Sequence, residues 1–231
     1  MANTRSRTKP TKPPKLGAPR IIEAEADIRD GVRALRRKCA IMRAVHDVTG
    51  DPPLRRRPAG FEGLARIIVG QQLSVASAGA IWGRTIEACR PFEPQVLLGL
   101  EDKQLAGVGL SRPKIRTLRA VAAACADGLD LTGLHGSTEE EIHAALTEVV
   151  GIGPWTADVF IMFCLGRADA WAPGDLALQI AAQQALGLRK RPDHDRMRKI
   201  AERWRPWRGV AARLLWAYYA AQKAKRSAMP V

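Results

Sequence analysis

Apolar residues recur at spacings of three and four along almost the whole chain, and runs of strict apolar/polar alternation are scarce. That pattern points to an all-α fold. Ile28, Val32, Leu35, Cys39 and Met42 share one face of a helical region over residues 21–47, which Pro52 and Pro53 close. A second helical stretch is predicted over 61–89, broken near Gly70, and a third over 111–125 with Pro113 tolerated in its first turn. Ser137 with Glu140 reads as a capping box, followed by Ile142, Ala145, Leu146 and Val149 at helical spacing. Further helices are predicted from about Trp155 to Leu165, over 176–186, over 193–205, and from Trp207 to about Lys223, with Pro206 separating the last two.

With 231 residues, 46% of them hydrophobic, the chain can bury a core without disulfides or metal, as one large domain or two small lobes. Its net charge of +14 favours a polyanionic partner. Residues 1–20 carry six basic residues, no acid and four prolines, the composition of a disordered basic tail ahead of a folded domain over 21–231. Removing those six charges still leaves +8 on the folded part. The tail lacks the apolar stretch of a signal peptide, and no apolar run approaches the roughly 18 residues of a membrane span. A cytoplasmic, nucleoid-associated protein with no membrane partner is expected. Cys39, Cys89, Cys125 and Cys164 stand far apart with no C-x-x-C pair, so they read as reduced thiols and no iron–sulfur cluster is expected.

The most informative segment runs Leu146-Thr-Glu-Val-Val-Gly-Ile-Gly-Pro-Trp-Thr-Ala-Asp158, a helix end, a Gly-x-Gly turn and a new helix start. Glycines let backbone amides approach an anion closely, and the amides opening the second helix are unsatisfied and carry the positive end of its dipole. A nucleic-acid phosphate is the natural guest, held by the amides of Gly151, Gly153 and Thr156 and by the Thr156 hydroxyl.

The hairpin does not stand alone. Ile68-Val-Gly-Gln-Gln-Leu-Ser74 and Gly107-Val-Gly-Leu-Ser111 precede it, Pro173-Gly-Asp175 follows, and Glu202-Arg-Trp-Arg-Pro-Trp-Arg208 leads to Trp216. In this order, from about Phe61 to about Tyr219, the chain resembles the helix-hairpin-helix base-excision DNA glycosylases, and within them the 3-methyladenine DNA glycosylase II branch. The resemblance implies two helical lobes, one from the middle of the chain and one from its two ends, with a DNA-binding cleft between them and the hairpin over about 138–165.

It also implies roles for residues. Breaking an N-glycosidic bond builds positive charge on the sugar, so a carboxylate is needed to stabilise it or to activate water. Asp175 matches the family's catalytic Asp, 22 residues after Gly153, and a helix-capping role for it is compatible with that chemistry. Gly174 stands where close relatives often have a second acid, and the nearest other acids, Asp158 and Asp169, offer no obvious substitute. Trp155 takes the place of the nucleophilic Lys of bifunctional relatives, which implies a monofunctional enzyme. Trp155 and Trp216 match base-stacking positions, and cationic purines such as 3-methyladenine and 7-methylguanine suit electron-rich ring faces. Val159 departs from the family, where an aromatic is usual, and implies a pocket wider on one side.

Gln72, with Gln71 as its alternate, aligns with the wedge that fills the stack when a nucleotide is flipped out, and Lys114 is placed for a phosphate contact. The family also implies Na⁺ or K⁺ on main-chain carbonyls near Val149 to Ile152, and action as a monomer on duplex DNA containing damaged bases. Other readings stay open on the residues alone: Trp155 as a core side chain, and Gln71 and Gln72 as caps of a kink at Gly70. At the level of function the alternatives are a glycosylase for uracil, hypoxanthine or mismatched thymine, and a non-catalytic phosphate-gripping module.

Overall fold

A computed structural model describes residues 19–227. The N-terminal part gives α1 (Glu25–Lys38) and α2 (Ala40–Thr49). The middle of the chain gives α3 (Phe61–Gly70), α4 (Val75–Ala88), α5 (Pro94–Gly99), α6 (Asp102–Gly107), α7 (Arg112–Ala126), α8 (Glu139–Thr147) and α9 (Pro154–Phe163). The C-terminal part gives α10 (Leu176–Ala185), α11 (His194–Ala201) and α12 (Arg208–Ser227), and a single 3-10 turn, Glu202–Trp204, joins the last two. Among the described residues there is no strand, only an isolated bridge between Ile21 and Arg167.

The expected two-lobe arrangement is present. α12 packs along α2 and α10 and against α1, while α3 is the centre of the other lobe, touching α4, α7 and α9. α9 joins the two. Thr156, Ala157 and every residue from Val159 to Phe163 are buried, because a helix enclosed on all sides cannot keep a polar face. Trp204 and Phe160 are among the largest side chains with no exposure, each removal from water stabilising the fold by about 3 kcal/mol.

Local signals explain the boundaries. Pro94, Pro113 and Pro154 open their helices in the first turn, where a missing N–H is harmless. Ser74, Thr138, Asp175 and Asp193 each cap a helix by accepting a backbone N–H three residues on. The capping box of the hairpin is Thr138 with Glu141, one residue beyond the expected Ser137 and Glu140, since both registers fit the same pattern. The short helices α5 and α6 carry no periodic signal in the sequence. Six residues are too few for periodicity to register.

The boundary of the basic tail also moves. Residues 1–18 lie outside the described residues, but Arg20 belongs to the fold. Its carbonyl accepts the Ala168 amide at 2.9 Å and its guanidinium lies 4.8 Å from the centre of the Trp207 ring. Ile22 continues the attachment through its amide to the Gly166 carbonyl at 2.7 Å.

Candidate active site

Asp175 stands at the N-cap of α10, and its carboxylate gathers three donors. Oδ1 accepts the Leu178 amide at 2.9 Å and the indole Nε1 of Trp216 at 3.0 Å. Oδ2 accepts the indole Nε1 of Trp155 at 2.9 Å. The cap fixes the carboxylate to the helix, and the indoles fix two aromatic planes to the carboxylate. Trp155 comes from α9, two residues after Gly153, and Trp216 from α12, so both lobes meet at one acid. Asp175, Trp155 and Trp216 are each only partly buried, which leaves the group reachable from solvent.

Behind Trp216 stand residues that carry no signal in the sequence. Phe163, the last residue of α9, stacks on Trp216 with ring centres 5.6 Å apart and planes 29° from parallel. The guanidinium of Arg213 sits 4.7 Å from the Phe163 ring centre and that of Arg57 at 5.8 Å. Arg213 is 3% exposed and donates to the carbonyls of Gly209 at 2.8 Å, Met162 at 3.2 Å and Leu54 at 3.4 Å. Burial pushes its pKa down to about 9, which keeps it cationic at neutral pH. A small cavity of about 20 Å³ lies beside Trp216, lined by Pro53, Arg55, Phe163, Arg213, Trp216 and Ala217. Val159, one turn along α9 from Trp155, is 5% exposed and does not line this cavity. The neighbouring Cys164 thiol is inert, since burial raises its pKa to about 12.

The hairpin turn between α8 and α9 is set by Gly151, whose φ of +88° favours glycine, and whose α-hydrogen points at Thr117 where a Cβ would collide. Gly153, by contrast, has φ −101° and open space where a Cβ would stand. His143 on α8 and Asp158 on α9 clamp the two hairpin helices through a 2.9 Å hydrogen bond, which raises the His143 pKa. The Thr156 hydroxyl accepts from Gln71 Nε2 at 3.0 Å, so the hairpin and the Gln71–Gln72 turn are directly joined.

Gln72 has φ +57°, a left-handed conformation rare outside glycine, and its side chain is exposed. Leu73 and Val75 beside it are also exposed, Val75 at 88%. Lys114 does not project freely. Its ammonium donates to the carbonyls of Val69 at 2.7 Å and Gln71 at 2.8 Å, bracing the turn that presents Gln72. Trp204 and Trp207 are buried packing residues, and Trp82 and Trp171 make edge contacts with Phe92 and Trp204.

An all-helical fold, a Gly-x-Gly turn between two helices, and a carboxylate held between two indoles are the features of a helix-hairpin-helix DNA-repair protein. Residues 65–206 match the family described as "HhH-GPD superfamily base excision DNA repair protein", and the chain belongs to that superfamily. Among curated relatives, the alkylbase DNA glycosidase-like protein mag2 of Schizosaccharomyces pombe is 27% identical, over 68% of this chain and 77% of its own length. The probable bifunctional transcriptional activator/DNA repair enzyme AlkA of Mycobacterium tuberculosis is 33% identical, over 73% of this chain but only 36% of its own. Among solved structures, the S. pombe 3-methyladenine DNA glycosylase Mag1 in complex with abasic DNA superposes with a TM-score of 0.74 at 26% identity, over 81% of this chain and 95% of that one. The DNA-3-methyladenine glycosidase of Bacillus halodurans gives 0.69 at 32% identity, over 85% and 91%.

Proposed function

We propose that the chain is a monofunctional DNA glycosylase that hydrolyses the N-glycosidic bond of alkylated purines, such as 3-methyladenine and 7-methylguanine, in duplex DNA. The observation that carries this is the carboxylate of Asp175, bonded to both Trp155 and Trp216. A cationic purine stacked on an indole is already a good leaving group. As its bond to C1′ breaks, the pair of electrons goes to the base and positive charge gathers on the sugar. A carboxylate whose orientation is fixed beforehand stabilises that charge without reorganisation and can take a proton from the attacking water. The product is an abasic site with an intact backbone, because Trp155, which cannot form a Schiff base, stands beside Asp175 at the position where bifunctional relatives carry the nucleophilic lysine. Two of the similar proteins named above, one a 3-methyladenine DNA glycosylase and one a DNA-3-methyladenine glycosidase, support the same substrate class.

The remaining parts fall into place around this reaction. The hairpin amides of Gly151 and Gly153 grip a phosphate. Contrary to expectation, Thr156 does not share in this, because it is buried, its amide donates to the Gly153 carbonyl at 2.9 Å and its hydroxyl accepts from Gln71. Gln72, raised on its left-handed turn, fills the space the flipped nucleotide leaves, with Gln71 tying that turn to the hairpin. Lys114 serves DNA through the turn it braces rather than by touching a phosphate itself. A monovalent cation, Na⁺ or K⁺, fits main-chain carbonyls between Val149 and Ile152. The Val149 carbonyl spends one lone pair on the Ile152 amide at 3.0 Å, and the exposed Val150 leaves the turn open to solvent. Loss of DNA affinity in cation-free buffer supports that site, and indifference to cations refutes it. The enzyme acts as a monomer on duplex DNA.

The deciding experiment compares base release from methylated duplex DNA by wild type and Asp175→Asn, with an alkaline step to reveal abasic sites and a parallel binding assay. Asparagine caps a helix as well as aspartate. Wild type releases 3-methyladenine without cutting the strand, and the variant binds DNA but loses about two to four orders of magnitude in rate. Undiminished release by the variant refutes the role of Asp175. Binding without release of any base by wild type identifies a phosphate-gripping module.

A further inference from the structure

Four arginines gather around Phe163 and Trp216, and three of them are occupied. Arg213 is held by three carbonyls, Arg56 by the carbonyls of Phe163 and Cys164 at 3.4 and 2.8 Å, and Arg57 lies on the Phe163 ring. Arg55 is the exception. It lines the cavity beside Trp216, is exposed, and forms no hydrogen bond or ion pair with any other described residue. No acid pairs with Arg55, Arg56, Arg57 or Arg213 among the described residues.

The backbone holds Arg55 there against its own preference. Its φ is +51°, a left-handed conformation that costs a residue with a side chain about 1–2 kcal/mol. The segment is anchored on either side: the Leu54 carbonyl accepts from Arg213 at 3.4 Å, Arg56 donates to the Cys164 carbonyl at 2.8 Å, and the Arg57 amide donates to the Phe163 carbonyl at 3.0 Å. A strained residue in an anchored segment thus leaves a free guanidinium beside Trp216, whose indole bonds Asp175.

Such a cation is a poor neighbour for a positively charged alkylpurine, because like charges repel most where water is excluded. It is a good neighbour for an uncharged one. When the bond from C1′ to an uncharged purine breaks, the electron pair leaves with the base, which departs as an anion unless its charge is met. Water then adds to C1′ and gives up a proton, which the anion or solvent takes. A guanidinium can donate N–H bonds to a ring nitrogen or carbonyl oxygen before the bond breaks, and stronger ones as negative charge develops there.

We propose that Arg55 is a specificity-determining residue that extends the enzyme from cationic alkylpurines to uncharged purine lesions bearing an acceptor on the departing base, by stabilising the anionic leaving group. The proposal rests on the glycosylase reading given above. Its test uses single-turnover release from duplexes containing hypoxanthine, which is uncharged, or 7-methylguanine, which is cationic, with the full-length protein, Arg55→Gln and Arg55→Lys.

Wild type releases both bases. Arg55→Gln lowers the ratio of hypoxanthine to 7-methylguanine release by about ten- to a hundredfold, the effect of one lost hydrogen bond from a charged group. Arg55→Lys, which keeps the charge, restores part of that ratio. An equal fall for both substrates, or a ratio that Arg55→Gln leaves unchanged, assigns Arg55 to packing and overturns the proposal. Release of 7-methylguanine but not hypoxanthine by wild type overturns it while leaving the glycosylase reading intact, and release of neither overturns that reading itself.

Discussion

Trp216 and Asp175 lie 41 residues apart in the chain and are joined by a hydrogen bond of 3.0 Å from the indole nitrogen to the carboxylate. The same indole stacks on Phe163, so one side chain connects the acid at the start of α10 to the end of α9. Trp216→Phe keeps a stacking face and removes only the donor. Base release is expected to fall about tenfold, the cost of one hydrogen bond to a charged acceptor, with little change in DNA affinity. Trp216→Ala, which also removes the stack, is expected to lose considerably more. Single-turnover rates for the two variants separate the contributions, and equal losses would show that the donor has no role.

Two glycines of the hairpin differ in what they protect. Gly151→Ala forces a side chain into a left-handed backbone and against Thr117, and is expected to destabilise the fold by about 2 kcal/mol or more. Gly153→Ala meets open space at φ −101° and is expected to leave the melting temperature unchanged while weakening DNA binding, because the added methyl stands where the phosphate approaches. Thermal melts with binding isotherms check both. Full DNA affinity in Gly153→Ala would remove the phosphate from this turn.

Lys114 distinguishes bracing from direct contact. With its ammonium on the Val69 and Gln71 carbonyls, Lys114→Met is expected to slow base release by loosening the turn that carries Gln72. The slope of log affinity against log salt should stay as in wild type. A phosphate contact would instead reduce that slope by about one.

His143 makes the hairpin clamp sensitive to pH. The hydrogen bond to Asp158 raises its folded-state pKa above the unfolded value of about 6.5. The added stability is therefore fully present below about pH 6.5 and is lost as pH rises through the folded value. Since His143 is about a third exposed, solvent screening limits the effect to about 0.5–1 kcal/mol. His143→Gln is expected to destabilise the protein at pH 6 and to approach wild-type stability at pH 9. A constant difference across that range, measured by denaturant titration, would refute the linkage.

The helices were readable because their signals are local. Apolar spacing, prolines in first turns and capping side chains all act within one or two turns, so predicted spans such as 111–125 and 176–186 fall within a residue or so of α7 and α10. Where two local registers were equally good, as with Ser137 and Thr138, the sequence could not choose. Asp175, Trp155 and Trp216 were reachable through the order of motifs along the chain, and the structure brings them to hydrogen-bonding distance.

Phe163, Arg55 and Arg213 carried no such signal. Phe163 reads as an apolar residue at a helix end, and the Arg55–Arg57 run between prolines reads as solvated charge. Their place in the pocket depends on contacts such as that of Arg56 with the Cys164 carbonyl, 108 residues away. Lys114 shows the same limit, since a lysine near a DNA-facing loop suggests a phosphate contact until the carbonyls of Val69 and Gln71 are seen beside it. Sequence alone determined that the chain would be helical, basic and carry a Gly-x-Gly hairpin, because those properties reside in short segments. Which side chains face the carboxylate, and which arginine is left without a partner among the described residues, was decided only when the two lobes closed on α9, because burial and partner choice are properties of the packed whole.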